Sequence, residues 1–149
     1  MKEKIKNLVP QRIKFALGQF IRGNYLYILN IFPINKKKIV VCNYYGKGYG
    51  DNAKYIVDNI LKRKQDYDIV WLIKSELFQK TELPVGVRKV KYKTIRGLFE
   101  LATAKIWIDN SRKFFYPPKR KKQFYIQTWH SPLRLKKIEK DAEHYLSKE

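Results

Sequence analysis

Acidic side chains are scarce in this 149-residue sequence: 13 Asp and Glu stand against 33 Lys and Arg, a formal charge of +20. Such an imbalance implies an anionic partner, whether nucleic acid, a phosphorylated substrate or an acidic membrane surface. Cysteine is almost absent. Cys42 alone excludes a disulfide scaffold and any Cys-rich zinc or iron–sulfur site, and it fits a reducing compartment. The two histidines, His130 and His144, form no HExxH or HxH spacing, so neither a metal nor a cofactor is expected. No apolar run is long enough to cross a bilayer: the stretch without charge near the start runs only from Gly23 to Asn35, against the roughly 20 residues a span needs. Arg12, Lys14 and Arg22 interrupt what would be the apolar core of a secretory signal, and no small-residue cleavage site follows. The chain is expected to remain in the cytoplasm. Nucleic acid is set aside as well, because the sequence has no RRM-type aromatic box, no G-x-x-G loop and no zinc-finger spacing. What is present is 44% hydrophobic residues, enough to bury the core of one domain.

The chain divides near residue 37. In the first part, Ile5, Leu8, Val9, Ile13, Ala16, Leu17, Phe20 and Ile21 recur at three- and four-residue steps and line one helix face. Lys2, Lys4, Lys6, Arg12, Lys14 and Arg22 stay largely off it, and Pro10 would kink or restart the helix. An apolar aromatic run from Tyr25 to Ile34 and the triplet Lys36-Lys37-Lys38 follow. Residues 1–37 therefore read as a basic amphipathic segment suited to an anionic membrane surface. The alternative is a helix packed on its own domain with a solvated basic face.

Beyond it, strand and helix patterns alternate. Apolar runs at Ile39–Cys42, Asp68–Ile73, Val87–Tyr92, Ile106–Ile108 and Gln123–Thr128 predict five strands. Between them come a helix opened by Asp51 or Asn52, with Ile56, Ile60 and Leu61 on its apolar face, a short turn at Ser75, and a helix capped by Thr94. A last helix is expected from Ser131-Pro132, carrying Leu135, Ile138, Ala142 and Tyr145 inward. Strands apolar throughout are buried on both faces, so the fold class is α/β: a Rossmann-like parallel sheet with helices on both faces, over residues 38–149.

Ligands in such sheets bind at the carboxyl ends of the strands. That rule selects three places. The first is Gly46-Lys47-Gly48-Tyr49-Gly50-Asp51-Asn52, where backbone N–H groups at a helix start could cradle an anion, although a tight turn needing positive φ accounts for the glycines equally well. It is neither a dinucleotide fingerprint nor a Walker A loop. The second is Asp109-Asn110. The third is Trp129-His130-Ser131, which would set an imidazole beside a helix N-terminus, where phosphate is favoured and a general base could work. His144, in a Lys/Glu-rich helix, reads as solvated. The basic stretch Lys119-Arg120-Lys121-Lys122 suits a phosphate grip and a soluble loop equally.

The segments from Ile39 to Asn52, Tyr67 to Trp71, Val87 to Tyr92, Glu100 to Asn110, Tyr125 to His130 and Leu135 to Ala142, in unbroken order, resemble the CDP-glycerol glycerophosphotransferase family of teichoic-acid and capsule polymerases and primases. The resemblance implies the N-terminal domain of a two-domain GT-B-type architecture, with the nucleotide-binding C-terminal domain absent from these 149 residues. It implies a reaction in which CDP-glycerol donates glycerol phosphate to a hydroxyl of a lipid-linked acceptor and releases CMP. It also places a catalytic histidine at His130, with Trp129 and Ser131 beside the donor. The pattern departs from the family at Ser131-Pro132, where glycine commonly follows the histidine. These expectations make the chain a peripheral protein of the cytoplasmic membrane face, inactive alone, with a C-terminal-half polypeptide as a candidate partner. A non-catalytic module that binds anionic membrane or polyanionic polymer is the alternative. By position, Gly46, Lys47, Gly48, Asp51, Asn52, Asp109 and Asn110 are the candidate substrate contacts.

Overall fold

A computed structural model describes residues 26–111 and 116–129. The expected amphipathic helix at the start, His130, Ser131 and the expected last helix lie outside the described residues.

Five parallel strands form one sheet in the order β3-β2-β1-β4-β5: β1 (Asn35–Cys42), β2 (Asp68–Ile73), β3 (Val87–Lys91), β4 (Ala104–Asp109) and β5 (Phe124–Gln127). Helix α1 (Asp51–Lys62) connects β1 to β2, and α2 (Ile95–Thr103) connects β3 to β4. Alternate strand residues face opposite sides, which sorts the core into two layers. Ile39, Val41, Ile69, Trp71, Ile73 and Ile108 pack with Ala53 and Val57 of α1. Val40, Cys42, Val70, Leu72, Val90 and Trp107 pack with Leu101 of α2. The two-sided burial read from the apolar runs thus arises because each helix covers a different face.

Three local differences from the sequence reading have physical causes. β1 begins at Asn35 rather than at Ile39, because Asn35 already pairs with Ala104 of β4, and the ammonium of Lys38 enters the layer under α2, where Glu100 accepts it at 2.7 Å. In α2 the spacing of Ile95, Leu98, Phe99 and Ala102 predicts one shared apolar face, but the buried stripe is Leu98, Leu101 and Ala102 together with Glu100, and Ile95 is 70% exposed. β5 pairs only with β4, and its four residues are exposed among the described part of the chain.

The chain ahead of β1 packs against the same unit. Leu26 is buried, a 3-10 turn covers Ile28–Ile31, and the Phe32 ring meets Phe99 of α2 edge-on with centroids 5.0 Å apart. No described helix is long and apolar enough to cross a membrane.

Candidate functional site

Strand order reverses between β1 and β4, which carry chain to opposite sides of the sheet. At such a switch point the loops part and leave a crevice at the carboxyl ends. In register, Cys42 lies opposite Asp109, so Asn43 and Asn110 leave the sheet side by side. Asn110 is fully buried. Its amide donates to Asn43 Oδ1 at 2.6 Å and to Asp51 Oδ2, while its Oδ1 accepts the Tyr44 N–H at 2.8 Å. One side chain therefore ties β4 to the loop after β1 and to the first turn of α1.

That loop is held from within as well. Gly46 and Lys47 donate their N–H groups to Asn43 O, Gly46 O accepts from Lys74 N, and Gly48 O accepts from both Asn43 Nδ2 and Trp71 Nε1. Gly46 and Gly48 sit at φ +90° and +134°. The glycines thus serve a tight turn, and the N–H groups of Gly46 and Lys47 are spent inside it. The Lys47 residue is exposed. Replacing Gly46 with Ala would set a Cβ 2.8 Å from Lys74 N and 3.2 Å from Tyr92 Cβ, in a backbone region that Ala avoids. Gly46→Ala is expected to lower stability by about 2–3 kcal/mol, read from urea unfolding. A change within about 0.5 kcal/mol would show that the turn yields freely.

On the other side of Asn110, the helix start is open. Gly50 supplies no side-chain cap to α1, Asp51 has φ +57°, and Asn52 is exposed. Asn52 Nδ2 donates to Trp129 O at 3.1 Å, across 77 residues of chain. Trp129 has φ +58°, and Thr128 donates its N–H to Asp109 O at 2.8 Å. The segment that leads from β5 to His130 is thereby fastened to both β4 and α1. Asp51, Asn52, Asn110 and Trp129 come together at the switch point as the sequence positions suggested.

Asp109 faces the other way. It lies on the α2 side, where burial first, and then the nearby Asp109 carboxylate, push the Tyr125 phenol well above its ordinary pKa. Tyr92 is raised by burial, with Cys42, Asp109 and Tyr45 contributing. Beneath the α1 side, burial and a 2.6 Å hydrogen bond to Asp58 keep the Tyr49 phenol protonated. These tyrosines remain neutral donors at any physiological pH.

Sequence reasoning missed Asn43, Tyr44 and Tyr125. The available signal for Asn43 was its place immediately after an apolar run, level with the polar residues that end the fourth run. No group of three or more His, Cys, Asp or Glu able to hold a metal occurs among the described residues.

The sequence model of the family described as CDP-glycerol:poly(glycerophosphate) glycerophosphotransferase matches residues 25–149. A teichoic acid poly(glycerol phosphate) polymerase of Bacillus spizizenii is 32% identical over 123 residues, a match covering 78% of this chain and 29% of the polymerase. A teichoic acid glycerol-phosphate transferase of Staphylococcus aureus is 28% identical, covering 87% and 32% respectively. Among solved structures, the wall teichoic acid polymerase TagF superposes with a TM-score of 0.63 at 25% identity, over 80% of this chain and 30% of that one. A TagF variant soaked with CDPG gives 0.64 at 24% identity. The chain spans less than a third of the length of each of these relatives.

Proposed function

Because the chain belongs to the CDP-glycerol:poly(glycerophosphate) glycerophosphotransferase family, we propose that it provides the acceptor-side Rossmann-like domain of a transferase. That enzyme moves glycerol phosphate from CDP-glycerol to a hydroxyl of a lipid-linked acceptor in teichoic acid or capsule synthesis. His130, next in sequence after the fastened Trp129, takes the proton of the acceptor hydroxyl. The freed oxygen attacks the β-phosphorus, the bond from that phosphorus to the bridging oxygen breaks, and CMP leaves with the electron pair. Trp129 and Ser131 flank the donor in this reading, and Asp51, Asn52 and Asn110 shape the floor of the crevice. The basic segment ahead of β1, residues 1–34, holds the protein on the anionic cytoplasmic face of the membrane. The observation that supports the reading best is the Asn52-to-Trp129 hydrogen bond, because it holds Trp129, the residue before His130 in sequence, at the start of α1.

The test is CMP release from CDP-glycerol in the presence of a lipid-linked acceptor, with the chain alone and with a C-terminal half of a relative supplied. The chain is expected to be silent alone and to turn over when paired, and His130→Ala should abolish that turnover. Activity of the pair that survives His130→Ala would overturn the catalytic assignment. Anion binding with no turnover in any pairing would favour the non-catalytic module.

A further inference from the structure

The crevice lies at the carboxyl ends of the strands, yet a group of cations without carboxylate partners among the described residues lies at their amino ends. A pocket of about 390 Å³ opens there across β1, β4 and β5, lined by Ile34, Lys36, Lys105, Arg120, Lys121 and Lys122. Of the six described residues that line it, five are cations and none is acidic. None of the five forms an ion pair among the described residues, whereas Lys37, Lys38, Lys54, Arg88 and Arg96 each do.

The wall of this pocket is built rather than merely solvated. Gln123 is buried and donates its amide to the carbonyls of Leu101, Ala102 and Ala104, which locks the turn before β5. Arg120 reaches back to the carbonyls of Asn30, Phe32 and Ala102. Among the described residues it finds no carboxylate and its buried Nε has no hydrogen-bond partner, and burial pulls its pKa below the usual guanidinium value. Lys105 is fixed by Lys122 O at 2.6 Å and lies over the Phe124 ring, 4.7 Å from its centroid. The basic stretch that read ambiguously in the sequence therefore divides. Lys119 and Arg120 are spent on backbone carbonyls, while the exposed Lys121 and Lys122 line the pocket together with Lys36.

Around Phe78 and β3, Arg88, Lys89, Lys91 and Arg96 also line a pocket. There, Arg88 is paired to Asp68 and Glu100, Arg96 to Glu100, and Lys89 donates to two carbonyls. At the amino ends, by contrast, Lys36, Lys105, Lys121 and Lys122 line one pocket to which the described residues supply no carboxylate, and Lys105 is fixed there by Lys122 O. Several ammoniums around a space of this size match a phosphate ester, which they recognise as a concentrated negative charge.

We infer that this amino-end pocket, distinct from the crevice, is a binding site for a phosphate ester group, carried either by a soluble glycerol phosphate or by an anionic lipid headgroup. It stands whether or not His130 is catalytic, since it uses no residue of the crevice.

The experiment titrates the full chain with glycerol 3-phosphate by calorimetry at low salt and, separately, sediments it with phosphatidylglycerol or phosphatidylcholine vesicles. Lys36→Gln/Lys121→Gln is compared with Lys62→Gln/Lys80→Gln, which removes the same charge from exposed positions elsewhere. Loss of two ammoniums near a phosphate should weaken binding about tenfold or more, against less than twofold for the control pair. A selective loss toward glycerol 3-phosphate identifies a soluble ligand, and a selective loss on phosphatidylglycerol alone identifies a headgroup. Amide shifts of Lys121, Lys122 and Gln123 on titration of the unaltered chain provide a second readout that does not depend on the variants folding. Equal loss in both variant pairs, or no saturable binding by the unaltered chain in either arm, would overturn the inference.

Discussion

Glu100→Gln is expected to lower the unfolding free energy at pH 7 by about 3–5 kcal/mol, the cost typical of removing one partner from a buried ion pair. The Glu100 side chain is fully buried and receives Lys38 Nζ at 2.7 Å, Arg96 Nη2 at 2.8 Å and Arg88 Nη1 at 3.1 Å. Lys38 also donates to Thr103 Oγ1 at 2.9 Å. Arg96 is largely exposed and Arg88 keeps Asp68, so both can be compensated without Glu100. Lys38 cannot, because its side chain is only 9% exposed and meets no other carboxylate among the described residues. The variant therefore strands an ammonium in the layer between α2 and the sheet. Arg96→Ala, by contrast, should cost less than about 1 kcal/mol.

The same cluster sets the acid limit. Burial alone would raise the Glu100 pKa, but Arg88 and Lys38 outweigh it and hold the carboxyl at about 2 against an ordinary 4.5. A folded-state pKa below the unfolded value means that the folded protein resists protonation. The contribution is fully present above pH 4.5 and is lost as pH falls toward 2. It amounts to something on the order of 3 kcal/mol. Urea unfolding at pH 7, 4.5 and 2.5 should show the gap between the unaltered chain and Glu100→Gln closing toward acid. A gap that is constant with pH, or absent at pH 7, would refute this account of the cluster.

How far the architecture could be read in advance depended on whether a residue's partner was near it in sequence. The second strand was read with the bounds it has, because Asp68–Ile73 is apolar on both faces and needs no knowledge of its neighbours. The Thr94 cap was legible for the same reason: its hydroxyl accepts from Gly97 N, three residues on. Lys38 was not, since a lysine after two lysines reads as linker until Glu100 is folded over it, 62 positions later. Arg120 was hidden in the same way, with acceptors 88 to 90 residues back. At the crevice, the strand-end rule found Asp51, Asn52, Asn110 and Trp129 correctly as neighbours. It grouped Asp109 with them, although successive strand residues point to opposite faces and Asp109 belongs with the tyrosines. Asn43 escaped because its importance comes from register: only when Cys42 is set against Asp109 do the two asparagines meet.

Asn110→Asp is the second large effect, and it isolates chemistry from shape. The substitution preserves the volume of the side chain and its acceptor toward Tyr44 N, so packing and one hydrogen bond survive. Both donors vanish. In their place a carboxylate oxygen faces Asn43 Oδ1 and the carboxylate of Asp51, at a position with no solvent exposure. A charge buried against another of like sign is more costly than a missing hydrogen bond, and a loss of about 3–4 kcal/mol at pH 7 is expected. The new carboxyl should titrate with a raised pKa, because protonation removes the repulsion and restores one donor. Its destabilisation is therefore complete above the folded-state pKa and fades as pH falls through it, the reverse of the acid dependence set by Glu100. Asn110→Ala lacks the charge, so it should be destabilised at every pH without that recovery. If Asn110→Asp and Asn110→Ala show parallel pH profiles, the contact with Asp51 is not the feature that holds the crevice together.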